Sequence, residues 1–139
     1  MEPYESSEDY LEAILRIKEK QNYVRSVDIA KLLDVSKPSV TYATKKLKDS
    51  GFITMDNNGM ILFTEAGEKI AIETWTRHKT LAKLFVSLGV KEKQALIDAC
   101  KVEHDLSEET FKAIQKFIEK NSAKNKAHKT NSSFQDKPL

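Results

Sequence analysis

Three potential metal donors fall within five residues: Cys100, Glu103 and His104. On a helix these positions, i, i+3 and i+4, share one face. A thiol, a carboxylate and an imidazole close together form a mixed S/O/N donor set of the kind that suits a transition metal. Asp9 and Glu12, at i and i+3 near the start of the chain, and His78 in its middle are further candidates. Each residue also has an ordinary reading. Cys100 could be a small buried hydrophobe. Asp9 could complement a helix N-terminus and Glu12 could be an exposed acid. His78 could be a core-edge histidine satisfied by a carbonyl. An enzyme using Cys100 as nucleophile and His104 as base is disfavoured, because neither an orienting third group nor an oxyanion donor accompanies the pair. The chain therefore reads as a non-enzyme, with no small organic substrate expected.

The composition limits what can surround these residues. The chain has 139 residues, 40% hydrophobic and 32% charged, with four Gly and three Pro. This is enough for one compact helix-rich domain or two small subdomains. A single Cys excludes an internal disulfide framework and fits a reducing cytoplasm, the expected location. No apolar run approaches the ~18 residues of a membrane span, and Met1-Glu2-Pro3-Tyr4-Glu5 does not resemble a signal peptide. Residues 120–139 hold five Lys against one Asp, so the rest of the chain has a slight acidic excess within the net +2. Any nucleic-acid affinity of the folded part must come from a local patch.

Several elements must position the donors. Ser6-Ser7-Glu8-Asp9 predicts a helix start, with Tyr10, Leu11, Ile14, Leu15 and Ile17 as an apolar face that fades near Gln21-Asn22. A second, short helix begins at Arg25-Ser26-Val27-Asp28, with Val27, Ala30, Leu33 and also Ile29 as its inward candidates. Ser36 is a good N-cap for a third helix, Pro38 falls in its first turn, and Gly51 follows its end. Phe52-Ile53-Thr54-Met55 and Met60-Ile61-Leu62-Phe63 flank an Asn/Gly turn and read as a hairpin. Thr64 caps a long helix reaching about Ser87. A fifth helix is expected from Lys91 to about Asp105. Ser107 caps a sixth, with Phe111, Ile114, Phe117 and Ile118 on its apolar face. From about Ser122 the composition turns polar.

Three helices followed by a hairpin is the plan of a winged helix-turn-helix. The third helix supplies its chemistry. Ser36, Lys37, Pro38, Ser39, Thr41, Tyr42, Lys45 and Lys46 lie at its start or face outward, and residues 36–48 contain four Lys and no acid. Hydroxyls and a helix N-terminus can meet phosphates or base edges, while lysines supply backbone charge. An ordinary Lys-rich solvated face is the alternative. The order of elements favours DNA.

Residues 7–111 resemble the metal-dependent repressors typified by the diphtheria toxin repressor and the manganese transport regulator. The matching stretches are Ser7-Glu8-Asp9-Tyr10-Leu11-Glu12, Val24-Arg25-Ser26-Val27-Asp28-Ile29-Ala30, Val35-Ser36-Lys37-Pro38-Ser39-Val40-Thr41, Leu62-Phe63-Thr64-Glu65-Ala66-Gly67, Arg77-His78 and Ala99-Cys100-Lys101-Val102-Glu103-His104-Asp105-Leu106-Ser107. Within the mainly α fold with a small β-hairpin that the element order predicts, the resemblance implies a winged helix-turn-helix DNA-binding domain over residues 1–64 and a helical metal-binding and dimerisation domain over 65–121, while the composition makes 122–139 a flexible polar tail. The extra domain resembling an SH3 fold, found in the longer branch, is not expected.

The resemblance further implies one metal site at Asp9, Glu103 and His104, with Cys100 as a further ligand, and a second site at Glu12 and His78, with Glu103 bridging. In the manganese regulator a Glu stands at the position of Cys100. In the diphtheria repressor a Cys stands there, but a Met replaces Asp9. This sequence combines the acids of one branch with the thiol of the other. Ala82 stands where the diphtheria branch's ancillary site needs a Glu, so that version of the second site is not expected. Carboxylates and imidazoles suit Mn(II) or Fe(II). The thiolate favours Fe(II), with Zn(II) or Co(II) binding in vitro. The implied partners are double-stranded operator DNA and a second copy of the chain, the homodimer packing through Trp75, Leu84, Phe85, Ala95, Leu96, Ala99, Phe111 and Ile114. The implied activity is repression of metal-uptake genes. The competing reading is a winged-helix regulator that responds to a small organic ligand or to no effector, the polar cluster being structural.

Overall fold

The computed structural model describes residues 3–128. Its elements run α1 (Pro3–Gln21), α2 (Ser26–Leu33), α3 (Lys37–Asp49), β1 (Ile53–Met55), β2 (Ile61–Phe63), α4 (Glu65–Ser87), α5 (Glu92–Val102) and α6 (Glu108–His128). The fold is mainly α with one antiparallel hairpin, as the sequence predicts. No helix among the described residues is long and apolar enough to cross a membrane. The chain divides into two compact units, one ending at Trp75 and the other beginning at Thr76, so the division falls within α4.

In the first unit, α1 begins at Pro3, ahead of the expected start near Ser6. A first-turn proline costs little there, because its missing N–H would have no helical partner and its φ is preset. The helix ends where Asn22 adopts a left-handed φ of 68°, which Asn tolerates better than most residues. Leu11, Ile14, Leu15 and Ile17 of α1 bury with Ile29, Val40, Leu47, Ile53, Ile61, Ala71 and Trp75 in one core. In α2 Ile29 is fully buried and Ala30 and Leu33 pack on the same core, as expected, whereas Val27 is exposed, contrary to expectation. Asp28 accepts the Arg25 backbone N–H at 2.9 Å and sets the helix start so that Val27 faces out. Gly51, at φ 83°, lets α3 end in a Schellman turn: Phe52 N–H donates to Leu47 C=O at 2.9 Å and Gly51 N–H to Lys48 C=O at 3.0 Å.

That turn feeds the hairpin, in which Ile53 pairs with Phe63 and Met55 with Ile61. Asp56 Oδ1 closes the loop by accepting the N–H groups of Asn58 and Met60 at 2.8 and 2.9 Å. The expected cap at Thr64 is present: its hydroxyl accepts from Gly67 N–H at 3.2 Å and donates to Gly51 C=O at 2.7 Å. α4 thus starts directly against the end of α3, and Gly67 is where the two backbones nearly touch.

In the second unit, Leu81, Ala82 and Ala99 form a small core, with Phe85, Leu96, Val102, Leu106 and Ile114 packed on it. α5 stops at Val102, short of the expected Asp105, and Glu103–Asp105 form a turn. Ser107 caps α6 as expected, accepting from Thr110 N–H at 3.1 Å. α6 runs on to His128, past the expected end near Ser122. Residues 122–128 contain no Gly or Pro, and Ala and Lys propagate an established helix well. Residues 129–139 of the expected tail lie outside the described residues. Four of the side chains expected at a dimer interface, Trp75, Ala95, Ala99 and Phe111, are buried within the single chain. Arg16 stacks over Trp75 at 4.9 Å, and Arg77 over Phe111 at 5.0 Å.

A Gly-to-Ala change in a helix usually stabilises. At Gly67 the sign should reverse, because an added Cβ would drive into the Phe52 carbonyl. Gly67→Ala should lower unfolding free energy by about 1–3 kcal/mol in urea titration, the usual cost of overpacking.

Candidate metal centre and DNA-reading helix

The second unit carries four of the candidate donors, His78, Cys100, Glu103 and His104. Glu103 caps the C-terminus of α5 while keeping helical angles, and its N–H donates to Ala99 C=O at 3.0 Å. Its side chain is fully buried. Oε1 of Glu103 stands 3.5 Å from Nδ1 of His78 on α4 and 3.9 Å from Nε2 of the neighbouring His104. Both imidazoles are almost wholly buried as well. Burying a carboxylate costs several kcal/mol unless positive charge or donors compensate it. Two imidazoles beside it can provide protons, or they can share a cation with it. Two ligand atoms each about 2.1 Å from a cation, and roughly 90–110° apart, stand about 3.0–3.4 Å from one another. The His78–Glu103 separation of 3.5 Å is close to that spacing, so this imidazole and carboxylate can share one divalent transition metal, whereas His104 stands farther from the same oxygen.

The turn carrying Glu103 and His104 is held by Arg77, one residue before His78. Its Nη1 donates to the carbonyls of Glu103 at 3.0 Å and Leu106 at 2.8 Å, and its Nη2 reaches Glu108 Oε1 at 3.2 Å. The Glu103 carbonyl is taken by a guanidinium, and the chain after α5 tightens into a turn in which Asp105 N–H donates to Val102 C=O at 3.0 Å. Nothing in the spacing of the sequence announces contacts between Arg77 and residues 26 to 31 positions later. Cys100, on the last turn of α5, is exposed, so the buried-hydrophobe reading of this thiol does not hold.

Asp9 and Glu12 belong to α1, in the first unit. Glu12 is buried among Leu11, Ala13 and Ile14, and is therefore not the exposed acid of the ordinary reading. Asp9 is half-buried. It lines an open cleft of about 400 Å³ with Tyr10, Leu33, Val35, Ser39, Tyr42 and Ala43. Burial, and then the neighbouring Asp9 carboxylate, push the Tyr10 phenol up from its usual range.

α3 presents the other candidate surface. Its inward side is Val40, Thr44 and Leu47. The hydroxyl of Thr44, four residues after Val40, enters the core by donating to Val40 C=O at 2.9 Å. Ser36, Lys37, Pro38, Ser39, Thr41, Tyr42, Lys45 and Lys46 are all exposed. Lys46 Nζ lies 5.8 Å from the Tyr42 ring centre, so a cation and an aromatic share this face. The hairpin is pinned to the segment before α2: Ile61 N–H donates to Val24 C=O at 2.8 Å, and Arg25 Nη1 to Asn58 C=O at 2.9 Å.

Comparison with known proteins matches the chain in two stretches, which meet earlier than the division within α4. Residues 4–60 match the model of the iron-dependent repressor N-terminal DNA-binding domain. Residues 64–130 match that of the iron-dependent repressor metal-binding and dimerisation domain. An HTH-type transcriptional regulator of Methanocaldococcus jannaschii is 39% identical over 118 residues, covering 84% of this chain and 94% of that protein. The transcriptional regulator MntR of Escherichia coli is 37% identical over 117 residues, 84% of this chain and 76% of MntR. The structure of the manganese regulator SloR superposes with a TM-score of 0.72 at 25% identity over 81% of this chain, which spans 53% of the SloR chain.

The reading face depends on its cap. The Ser36 hydroxyl accepts from Ser39 N–H at 3.2 Å and donates to the Ser39 hydroxyl at 2.9 Å. Ser36→Ala should cost about 1 kcal/mol, the typical value of a lost N-cap, measured by denaturant unfolding.

Proposed function

We propose, from the premise that the chain belongs to the iron-dependent repressor family, that it is a metal-responsive DNA-binding transcriptional repressor acting as a homodimer on operator DNA. The observation that carries this reading is the fully buried Glu103 carboxylate beside the imidazoles of His78 and His104, in the half that matches a metal-binding and dimerisation domain. Asp9, Cys100, Glu103 and His104 would hold one divalent ion. Glu12 and His78 would hold a second, with Glu103 shared. The bound ion supplies positive charge that offsets these carboxylates. Asp9 and Glu12 are carried on α1 with the reading helix, whereas the remaining ligands are carried on α4 and at the end of α5. Residues from both units in one ligand set would restrict the orientations of the DNA-reading unit. Two recognition helices of a dimer could then meet successive major grooves, about 34 Å apart. Binding of DNA and binding of metal would favour each other reciprocally.

Lys37, Lys45 and Lys46 of α3 supply phosphate contacts in this reading, while Ser39, Thr41 and Tyr42 lie within reach of base edges or sugars. For the dimer, Leu88, Ile97 and Phe117 are the large apolar side chains that the second unit leaves exposed among its described residues. Mn(II) or Fe(II) is the fitting ion, and the Cys100 thiolate favours Fe(II) over Mn(II). Metal-uptake genes are the expected targets.

The test begins with an operator selected from random duplexes by metal-loaded protein, under anaerobic conditions. Affinity is then measured with Mn(II), with Fe(II) and with EDTA. A rise of about tenfold or more with metal is expected, equivalent to a coupling of about 1.4 kcal/mol; affinity indifferent to metal and to EDTA sinks the reading. His104→Ala should abolish the metal response and leave the circular dichroism spectrum unchanged. Cys100→Glu should move the preference toward Mn(II), and an unmoved preference removes Cys100 from the ligand set. Lys45→Gln and Lys46→Gln should each lower the slope of log affinity against log salt by about one.

A further inference from the structure

We infer that Arg77 is a positioning residue for the metal centre: its guanidinium fixes the main chain of the turn after α5, so that Glu103 and His104 are set against His78 before a cation binds. The inference rests on the metal-binding reading above and extends it to a residue that donates nothing to the ion. α4 grips Glu103 at two points with consecutive residues. Arg77 Nη1 holds its carbonyl at 3.0 Å, while His78 Nδ1 stands 3.5 Å from its carboxylate. The same Nη1 holds the Leu106 carbonyl at 2.8 Å, so both ends of the turn that contains His104 are tied to one side chain. Within the turn itself, the Asp105 N–H donates to Val102 C=O at 3.0 Å.

The guanidinium itself is held in place. Its plane lies over the Phe111 ring at 5.0 Å, its outer nitrogen meets Glu108 at 3.2 Å, and its side chain is 19% exposed. Only arginine suits the position. Its planar fork offers donors in fixed directions while one face stacks on an aromatic ring, whereas a lysine ammonium is a single point charge on a flexible stem. Glu108 is mostly exposed, so its ion pair contributes little, and the two carbonyl bonds are the functional part of the contact. Residues that orient metal ligands from outside the coordination sphere typically change affinity by about 10–100-fold when replaced.

The inference is tested by Mn(II) titration of the full-length protein, with electron paramagnetic resonance as the readout of free and bound ion. Arg77→Lys and Arg77→Gln are compared with two control variants, Phe111→Leu and Glu108→Gln. The controls perturb the packing and the outer ion pair but leave the donors to Glu103 and Leu106 in place. Arg77→Gln should weaken Mn(II) binding by about 10–100-fold, and Arg77→Lys should fail to restore it. Both should keep the wild-type circular dichroism spectrum. Phe111→Leu and Glu108→Gln should bind Mn(II) nearly as the wild type does, even where Phe111→Leu lowers the melting temperature as much as Arg77→Lys. Wild-type affinity in Arg77→Gln, or an equal loss in Phe111→Leu, overturns the inference and leaves the metal reading standing. A wild-type protein that takes up no Mn(II) overturns the metal reading itself.

Discussion

The burial of the Glu103 carboxylate is the constraint that organises the second unit. A charge removed from water must be answered locally. The chain does so by placing imidazoles on two sides of the carboxylate, one from α4 and one from the adjacent residue. Both are almost fully buried and have little rotational freedom. Such a cluster contributes little to folding as an ion pair alone. It becomes useful when the third participant is a divalent cation, because preset donors need not be ordered again on binding. Arg77 belongs to the same economy of motion. It spends a guanidinium on two backbone carbonyls and so fixes where the next side chains point.

The first unit meets a different demand, which is to hold a short helix rigidly while exposing most of its length. α3 buries only Val40, Thr44 and Leu47. Its ends do the rest. Ser36 closes the N-terminus, and the Schellman turn at Gly51 closes the C-terminus and passes the chain into the hairpin. Thr64 and Gly67 then press the start of α4 against that turn. A basic surface results, with four Lys and no acid over residues 36–48, on a chain that is nearly neutral overall, so its field is local and suited to a phosphate backbone. The hairpin is fixed by Arg25 and by the Val24–Ile61 bond, which set the wing's direction independently of its short strands.

Hard and soft donors meet in the two proposed ligand sets. Asp9, Glu12 and Glu103 offer oxygen, His78 and His104 offer nitrogen, and Cys100 offers the one thiol the chain possesses. The thiol is exposed at the end of α5, one helical turn before Glu103. An oxygen-rich set with one thiolate lies between the preferences of Mn(II) and of softer ions. The identity of this residue thus bears on metal choice more than that of any other member.

Most of the elements were legible in the sequence, because their signals are local. Thr64 and Ser107 cap helices where their positions predict, Gly51 ends α3, and an Asn/Gly turn joins the two strands. The spacing of Cys100, Glu103 and His104 pointed to metal chemistry, and resemblance supplied the distant acids. The sequence could not show which side of an apolar residue meets its own chain. Trp75, Ala95, Ala99 and Phe111 have the character of an interface but are buried within one chain, while Val27 faces out. Periodicity identifies an apolar face; only packing decides what covers it. Nor could the sequence show that α5 ends at Val102. The turn that follows is held by a guanidinium from α4 on the Glu103 carbonyl, a bond between residues 26 positions apart. Caps, turns and donor types act within a few residues and can be read along the chain. The setting of Glu103 against His78, and the hold of Arg77 on its backbone, exist only once α4 and the turn after α5 have packed together.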